Sequence, residues 1–148
     1  MIEPKWVEAF PTLVATGGKN DLLDKYLSGS SYTAAFYLGL VNGPGGSNTY
    51  AAGDTMASHA GWTENVAYSQ STRVAPSFSS ASAGSKTTSA AAVFSINTNG
   101  QTIAGSFLTT VSTKSGTTGV LLSVGNFTGG DKAVNNGDTL NVSYTLSV

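Results

Sequence analysis

At 148 residues the chain is sized for one compact domain with at most a short arm, which excludes two full domains. Its 7 Lys and Arg nearly balance 8 Asp and Glu, and the charged fraction of 10% lies far below the roughly 25% of an average soluble protein. Seven scattered cations with a single Arg form no basic face that could track phosphates, so nucleic acid is excluded as an expected partner. Ser (20), Thr (19) and Gly (18) together exceed a third of the chain, yet 40% of the residues are hydrophobic, which points to a packed core rather than disorder. A formal net charge of -1 gives little mutual repulsion, so self-assembly or burial in a larger assembly is expected. With no cysteine, disulfides, thiolate nucleophiles and Cys-ligated metals are excluded. The N-terminal MIEPKWVEAF reads as no secretory signal, and no apolar run approaches the roughly 20 residues of a membrane-spanning helix. The sequons at Asn126 and Asn141 are accordingly read as chance matches in a sequence rich in Asn, Ser and Thr.

In chain order, residues 1–30 read as an N-terminal arm and residues 31–148 as a β-sandwich domain. The arm holds seven of the fifteen charged residues. Trp6, Val7, Phe10, Leu13 and Val14 form an apolar extended stretch that Pro11 keeps from becoming helical. Gly17-Gly18 reads as a break, after which Asn20 or Asp21 caps a short helix through Leu22, Leu23, Tyr26 and Leu27, ending at Gly29. Tyr32 to Val41 is a predicted strand, stopped by the turn cluster Asn42-Gly43-Pro44-Gly45-Gly46. Residues 54–61 predict one helical turn with Asp54 or Thr55 as its cap, and Trp62 to Tyr68 returns to extended structure. The small side chains of Ala75 to Ala92 suit either a thin sheet region or an exposed loop.

Four β-rich runs follow, at Ala91–Ile96, Thr102–Val111, Gly119–Phe127 and Thr139–Val148. In the last, Leu140, Val142, Tyr144 and Leu146 alternate with polar residues, the signature of a half-buried strand. The fold expectation is all-β: a jelly-roll-like or Greek-key antiparallel β-sandwich with an N-terminal arm carrying one short helix.

The chemistry-bearing residues are sparse. One histidine, His59, and scattered carboxylates predict no metal site. The loop GGDKAVNNGD has the oxygen content of a calcium loop, but Ala133 and Val134 interrupt the alternation of ligands, and a hairpin connection with Asn136-Gly137 at positive φ is the simpler reading. Ser58, His59 and Asp54 could be drawn as a triad, but no nucleophile elbow accompanies them, so no catalytic residue is assigned. Asp54 and Glu64 are the sole mid-domain carboxylate pair, read as capping and surface residues rather than a glycosidase dyad. Tyr32, Tyr37, Tyr50, Trp62 and Tyr68 could stack on a sugar, although rings at such positions more commonly fill cores. Trp6, Phe10 and Leu13 must either fold back on the sandwich or dock on another protein.

The stretch GDTMASHAGWTENVAYSQSTR at 53–73, the C-terminal run from Val93 to Val148 and the segment GKNDLLDKYLSGSSYTAAFYLGLV at 18–41 resemble small virion structural proteins of tailed bacteriophages. These look like capsid cement, or decoration, proteins, and the resemblance leaves a tail or fibre component open. The resemblance implies a sandwich that sits on the outer capsid surface, reached after synthesis in the bacterial cytoplasm, with no enzymatic activity and no cofactor. The implied partners are the major capsid protein and further copies of the protein itself, as a dimer or trimer, with no membrane partner. Trp6, Val7, Phe10, Leu13, Val14, Leu22, Leu23 and Tyr26 are the expected interface residues. The rival expectation is a glycan-binding head-fibre or tail module using the loops at 42–50 and 129–138.

Overall fold

The computed structural model describes residues 6–8, 12–28 and 35–148. Strands take 40% of the chain and helix 11%, so the fold is the all-β sandwich with an N-terminal helix that the sequence predicts. The strands are β1 (Trp6–Glu8), β2 (Leu13–Val14), β3 (Tyr37–Asn42), β4 (Glu64–Asn65), β5 (Ser77–Phe78), β6 (Ser85–Ala90), β7 (Ala92–Ser95), β8 (Gln101–Thr109), β9 (Leu121–Asn126), β10 (Lys132–Val134), β11 (Thr139–Val142) and β12 (Thr145–Ser147), and the helix α1 spans Thr16–Leu27.

The largest sheet runs β2-β9-β8-β3-β4, with β10 also paired to β8. β8 is its centre: every residue from Ile103 to Thr109 is buried. That continuous burial departs from half-wet alternation because both faces of the sheet are covered. On one face Leu38, Leu40, Ile103, Leu108 and Leu122 pack with Phe94, Leu140 and Val142 of the facing β1-β11-β7 sheet. On the other, Phe107, Val41 and Val124 pack with Met56 and Trp62 from the connection between β3 and β4. A third sheet, β12-β6-β5, is made mostly of small residues, with Phe78 and Leu146 packed against the core, and Thr87 and Thr145 pair their hydroxyls across it at 2.9 Å. The Ser/Ala-rich stretch is thus strand at 77–78 and 85–90 with mostly exposed side chains.

One glycine sets the packing of the main sheet. Gly39 lies directly opposite Phe107, and a Cβ there would fall 2.3 Å from the ring. The ring therefore lies over the bare backbone, which lets β3 and β8 carry a large aromatic side chain at a crowded position.

Several local expectations are corrected. α1 begins at Thr16, not after Gly17-Gly18, and its N-cap is Ala15, whose side chain makes no capping hydrogen bond, so neither Asn20 nor Asp21 caps it. The backbone supplies what a cap would have: Ala15 N–H donates to Leu122 O at 2.9 Å and Thr16 N–H to Ala52 O at 2.7 Å. Gly18 is needed inside the helix because a Cβ would stand 2.8 Å from the Leu122 backbone. The helix ends at Leu27 with Ser28 as C-cap, and Gly29 lies outside the described residues. Residues 54–61 form tight turns around a Thr55–Ser58 bridge instead of a helical turn. The run 139–148 is two strands, since β11 pairs with β7 while β12 pairs with β6 in another sheet. Gly137 alone, at φ +91°, supplies the positive φ of its turn. Strand β3 starts at Tyr37, and Tyr32 falls outside the described residues.

The segment before α1 joins the sheets. β1 runs parallel to β11, with Val7 opposite Asn141, and β2 runs antiparallel to β9, with Leu13 opposite Val124.

Candidate docking surface

Helix α1 crosses β9 with its Gly18 side down. Only that glycine of the helix is buried. Apolar residues spaced at i, i+1, i+4 and i+5 should have formed the inward stripe of an amphipathic helix. Here Leu23 is 51% exposed, Leu27 74% and Tyr26 85%, with Leu22 exposed beside them. Leu22 with Tyr26, and Leu23 with Leu27, stack one turn apart, so the four residues make one continuous apolar surface. Lys25 in the last turn opposes the negative end of the helix dipole.

Two apolar clefts flank the helix. One, of about 410 Å³, has walls that include Leu22, Tyr26, Phe36, Phe78, Leu122 and Tyr144, with the charged Asp21, Lys25 and Lys86 also lining it. The other, of about 360 Å³, is walled by Val14, Leu22, Leu23, Leu122, Leu146 and Val148. Leu22, Leu122 and Leu146 line both, so the clefts adjoin as one furrow. Val148 is exposed at its end and Leu13 nearby on β2 is partly exposed. Exposed apolar surface of this continuity is the usual mark of a surface that another protein covers.

Of the expected interface residues, Leu13, Val14, Leu22, Leu23 and Tyr26 lie on or beside this furrow. Trp6 and Val7 are placed by backbone alone, in β1, and Phe10 lies outside the described residues. Leu27 and Val148 were not among the expected interface residues; Leu27 was legible, sitting four residues after Leu23.

The residues considered for catalysis are bound elsewhere. His59 stacks on Trp62 at 3.9 Å and its Nδ1–H donates to Trp62 O at 3.0 Å. Asp54 Oδ2 accepts Trp62 Nε1–H at 3.0 Å and Ala51 N–H at 3.1 Å, so Asp54 and His59 both hold Trp62 instead of each other. Glu64 receives Arg73 Nε–H at 2.9 Å and Nη2–H at 2.7 Å, a bidentate pair with both residues' side chains buried. Arg73 Nη1 also donates to Val111 O at 2.9 Å, and Ser115 N–H donates to Glu64 Oε2 at 2.8 Å. This network ties β4 to the 111–116 loop and was not foreseen from the sequence. No group of three or more His, Cys, Asp or Glu able to hold a metal occurs among the described residues.

The loops at 42–50 and 129–138 do meet. Both Asp131 carboxylate oxygens accept Gly45 N–H at 3.0 Å, Asn126 Nδ2 donates to Gly45 O at 3.0 Å, and the Tyr50 hydroxyl donates to Asn126 Oδ1. Their polar groups are thereby paired with one another. Of the proposed sugar-stacking rings, Trp62 and Tyr68 are buried, and Tyr37 and Tyr50 are half-buried. Burial pushes the Tyr68 phenol well above its ordinary value, reinforced by the Glu64 charge. Burial also raises Tyr144, despite its 2.5 Å hydrogen bond with Ser123 Oγ. Lys114 is shifted down by desolvation; its ammonium lies 3.8 Å from the centre of the Tyr68 ring and donates to Tyr68 O at 2.6 Å.

No described helix is long and apolar enough to cross a membrane. Compared with protein-family models, curated proteins and solved structures, the sequence and fold match none.

Proposed function

We propose that the protein is a non-enzymatic cement, or decoration, protein of a tailed-phage virion, which binds the outer capsid surface and bridges neighbouring major capsid proteins. The observation that carries this reading is the apolar furrow around α1, where Leu22, Leu23, Tyr26 and Leu27 are exposed on a protein of net charge -1. A protein that spends its life bound can leave such a surface open, because burial on the partner contributes roughly 25 cal/mol per Å² of apolar area. Many copies on one lattice then turn a modest contact per copy into strong reinforcement. The resemblance of segments 18–41, 53–73 and 93–148 to cement proteins points the same way.

Co-sedimentation with heads stripped of this protein tests the reading. The wild-type protein is expected to pellet with the heads, and a Leu23→Ser, Tyr26→Ser double variant to stay in the supernatant while remaining folded. Undiminished binding by that variant would remove α1 from the interface. A second reading, a glycan-binding fibre or tail module, is weakened by the pairing of Gly45 with Asp131, which occupies polar groups that a sugar would need. A glycan array with hits that Asp131→Ala abolishes would support it over the first.

A further inference from the structure

The sequence has three Asn-Gly dipeptides, at 42–43, 99–100 and 136–137. Such pairs are chemically labile. The backbone nitrogen of the glycine loses its proton and attacks the asparagine Cγ; a new N–C bond closes a succinimide ring as the bond from Cγ to Nδ2 breaks and ammonia leaves. Water then opens the ring to aspartate or isoaspartate. Glycine favours this because it has no Cβ to hinder the approach, so sequence alone treats the three pairs as equals. Attack requires the glycine N–H to leave its hydrogen-bond acceptor and the asparagine amide to turn towards it, and the fold makes those requirements very unequal.

Asn42-Gly43 is held on every side. Gly43 N–H donates to Thr102 O at 2.8 Å. Asn42 Nδ2 donates to Thr63 Oγ1 at 3.0 Å and to Glu64 O at 3.1 Å, and its Oδ1 accepts Asn65 Nδ2–H at 2.7 Å. The pair is half-buried at the end of β3. The other two occupy exposed loop tips that lie against each other. Gly100 N–H donates to Asn135 Oδ1 at 2.8 Å, and Asn136 N–H donates to Asn99 Oδ1 at 3.0 Å, so each tip is latched by an asparagine of the other. Gly137 N–H donates to Ile96 O at 2.9 Å. The Asn136 side-chain amide makes no hydrogen bond among the described residues, so, counting the bonds of the glycine N–H and the asparagine side chain that attack must break, one holds the Asn136 site, two hold Asn99 and four hold Asn42.

We infer that the paired tips are a site of spontaneous deamidation in the folded protein, reacting in the order Asn136 then Asn99, with Asn42 shielded until the protein unfolds. Each event adds a negative charge to a molecule whose formal net charge is only -1. Isoaspartate also inserts a methylene into the backbone at a tip, which misplaces the groups that latch the two loops. The protein would therefore age into discrete, more acidic forms through one loop pair.

The test is prolonged incubation of the folded, full-length protein at mildly alkaline pH, read by anion-exchange chromatography and peptide mass mapping. Conversion at Asn136, followed by Asn99, with Asn42 intact, is expected, and in urea all three should react at comparable rates. Asn135→Ala, which frees Gly100 N–H, should speed Asn99 conversion about three- to tenfold, the worth of one hydrogen bond, without affecting Asn42. Asn42 keeping pace with the tips in the folded protein would overturn the inference. So would tips that remain intact when the urea-unfolded protein is fully converted.

Discussion

The main sheet and helix α1 treat apolar and polar groups in opposite ways. In the sheet, both faces are covered, β8 is buried from Ile103 to Thr109, and even a charged pair is taken inside with its hydrogen bonds satisfied. On α1, four large apolar residues are exposed and only a glycine is buried. The sheet is therefore where the protein obtains its own stability, and the helix is where apolar surface is left uncovered. Substitutions in the first region should change unfolding and leave binding alone; substitutions in the second should do the reverse.

The largest expected effect is at the buried ion pair. Glu64→Ala strands the Arg73 guanidinium, which is fully buried, and should cost about 3–5 kcal/mol in urea unfolding. Next is Gly39→Ala, whose new methyl meets the Phe107 ring; overpacking of this kind costs about 1–3 kcal/mol by the same measurement.

Tyr68→Phe should act in the other direction. The Tyr68 hydroxyl is buried without a hydrogen-bond partner among the described residues, so its removal should stabilise the fold by about 1 kcal/mol. A pH titration of stability sharpens the point. Tyr68 and Tyr144 stay protonated in the folded state above 10.0, where the unfolded phenols ionise. The unfolded state then binds fewer protons than the native one, so stability is intact below about pH 10 and falls as pH rises beyond it. The loss is about 1.4 kcal/mol per pH unit for each phenol still protonated in the fold. Tyr68→Phe should make that slope shallower; an unchanged slope would mean that Tyr68 is not held protonated.

The smallest effect on stability, and the largest on association, is expected on α1. Leu23→Ser with Tyr26→Ser should shift unfolding by less than about 0.5 kcal/mol, since both are exposed. An apolar contact is also screened little by salt, so head binding should persist at moderate ionic strength. Release of the protein under those conditions would point to ion pairs instead.

The strands were the legible part of this sequence, because alternation is a local signal: Leu140, Val142 and Tyr144 lie inward as their spacing predicts. The helix was legible in its apolar residues but not in its start. Gly17-Gly18 has the chemistry of a break, and its place inside α1 depends on the backbone of Leu122, far along the sequence. Asp54 likewise has the chemistry of a helix cap, but Trp62 Nε1–H claims its carboxylate and the segment folds into turns. Glu64 was expected in a capping or surface role and Arg73 was not singled out, because nine positions of separation across an irregular connection fit no periodic pattern. At the docking surface the residues could be named in advance, while their exposure could not, since it is set by how closely Gly18 seats the helix on β9.

The most direct test of the proposed role is the protein's copy number in purified tailed-phage virions, measured by quantitative mass spectrometry against the major capsid protein. A lattice-binding cement protein predicts a copy number that scales with the major capsid protein. A handful of copies per particle, or none, would contradict it.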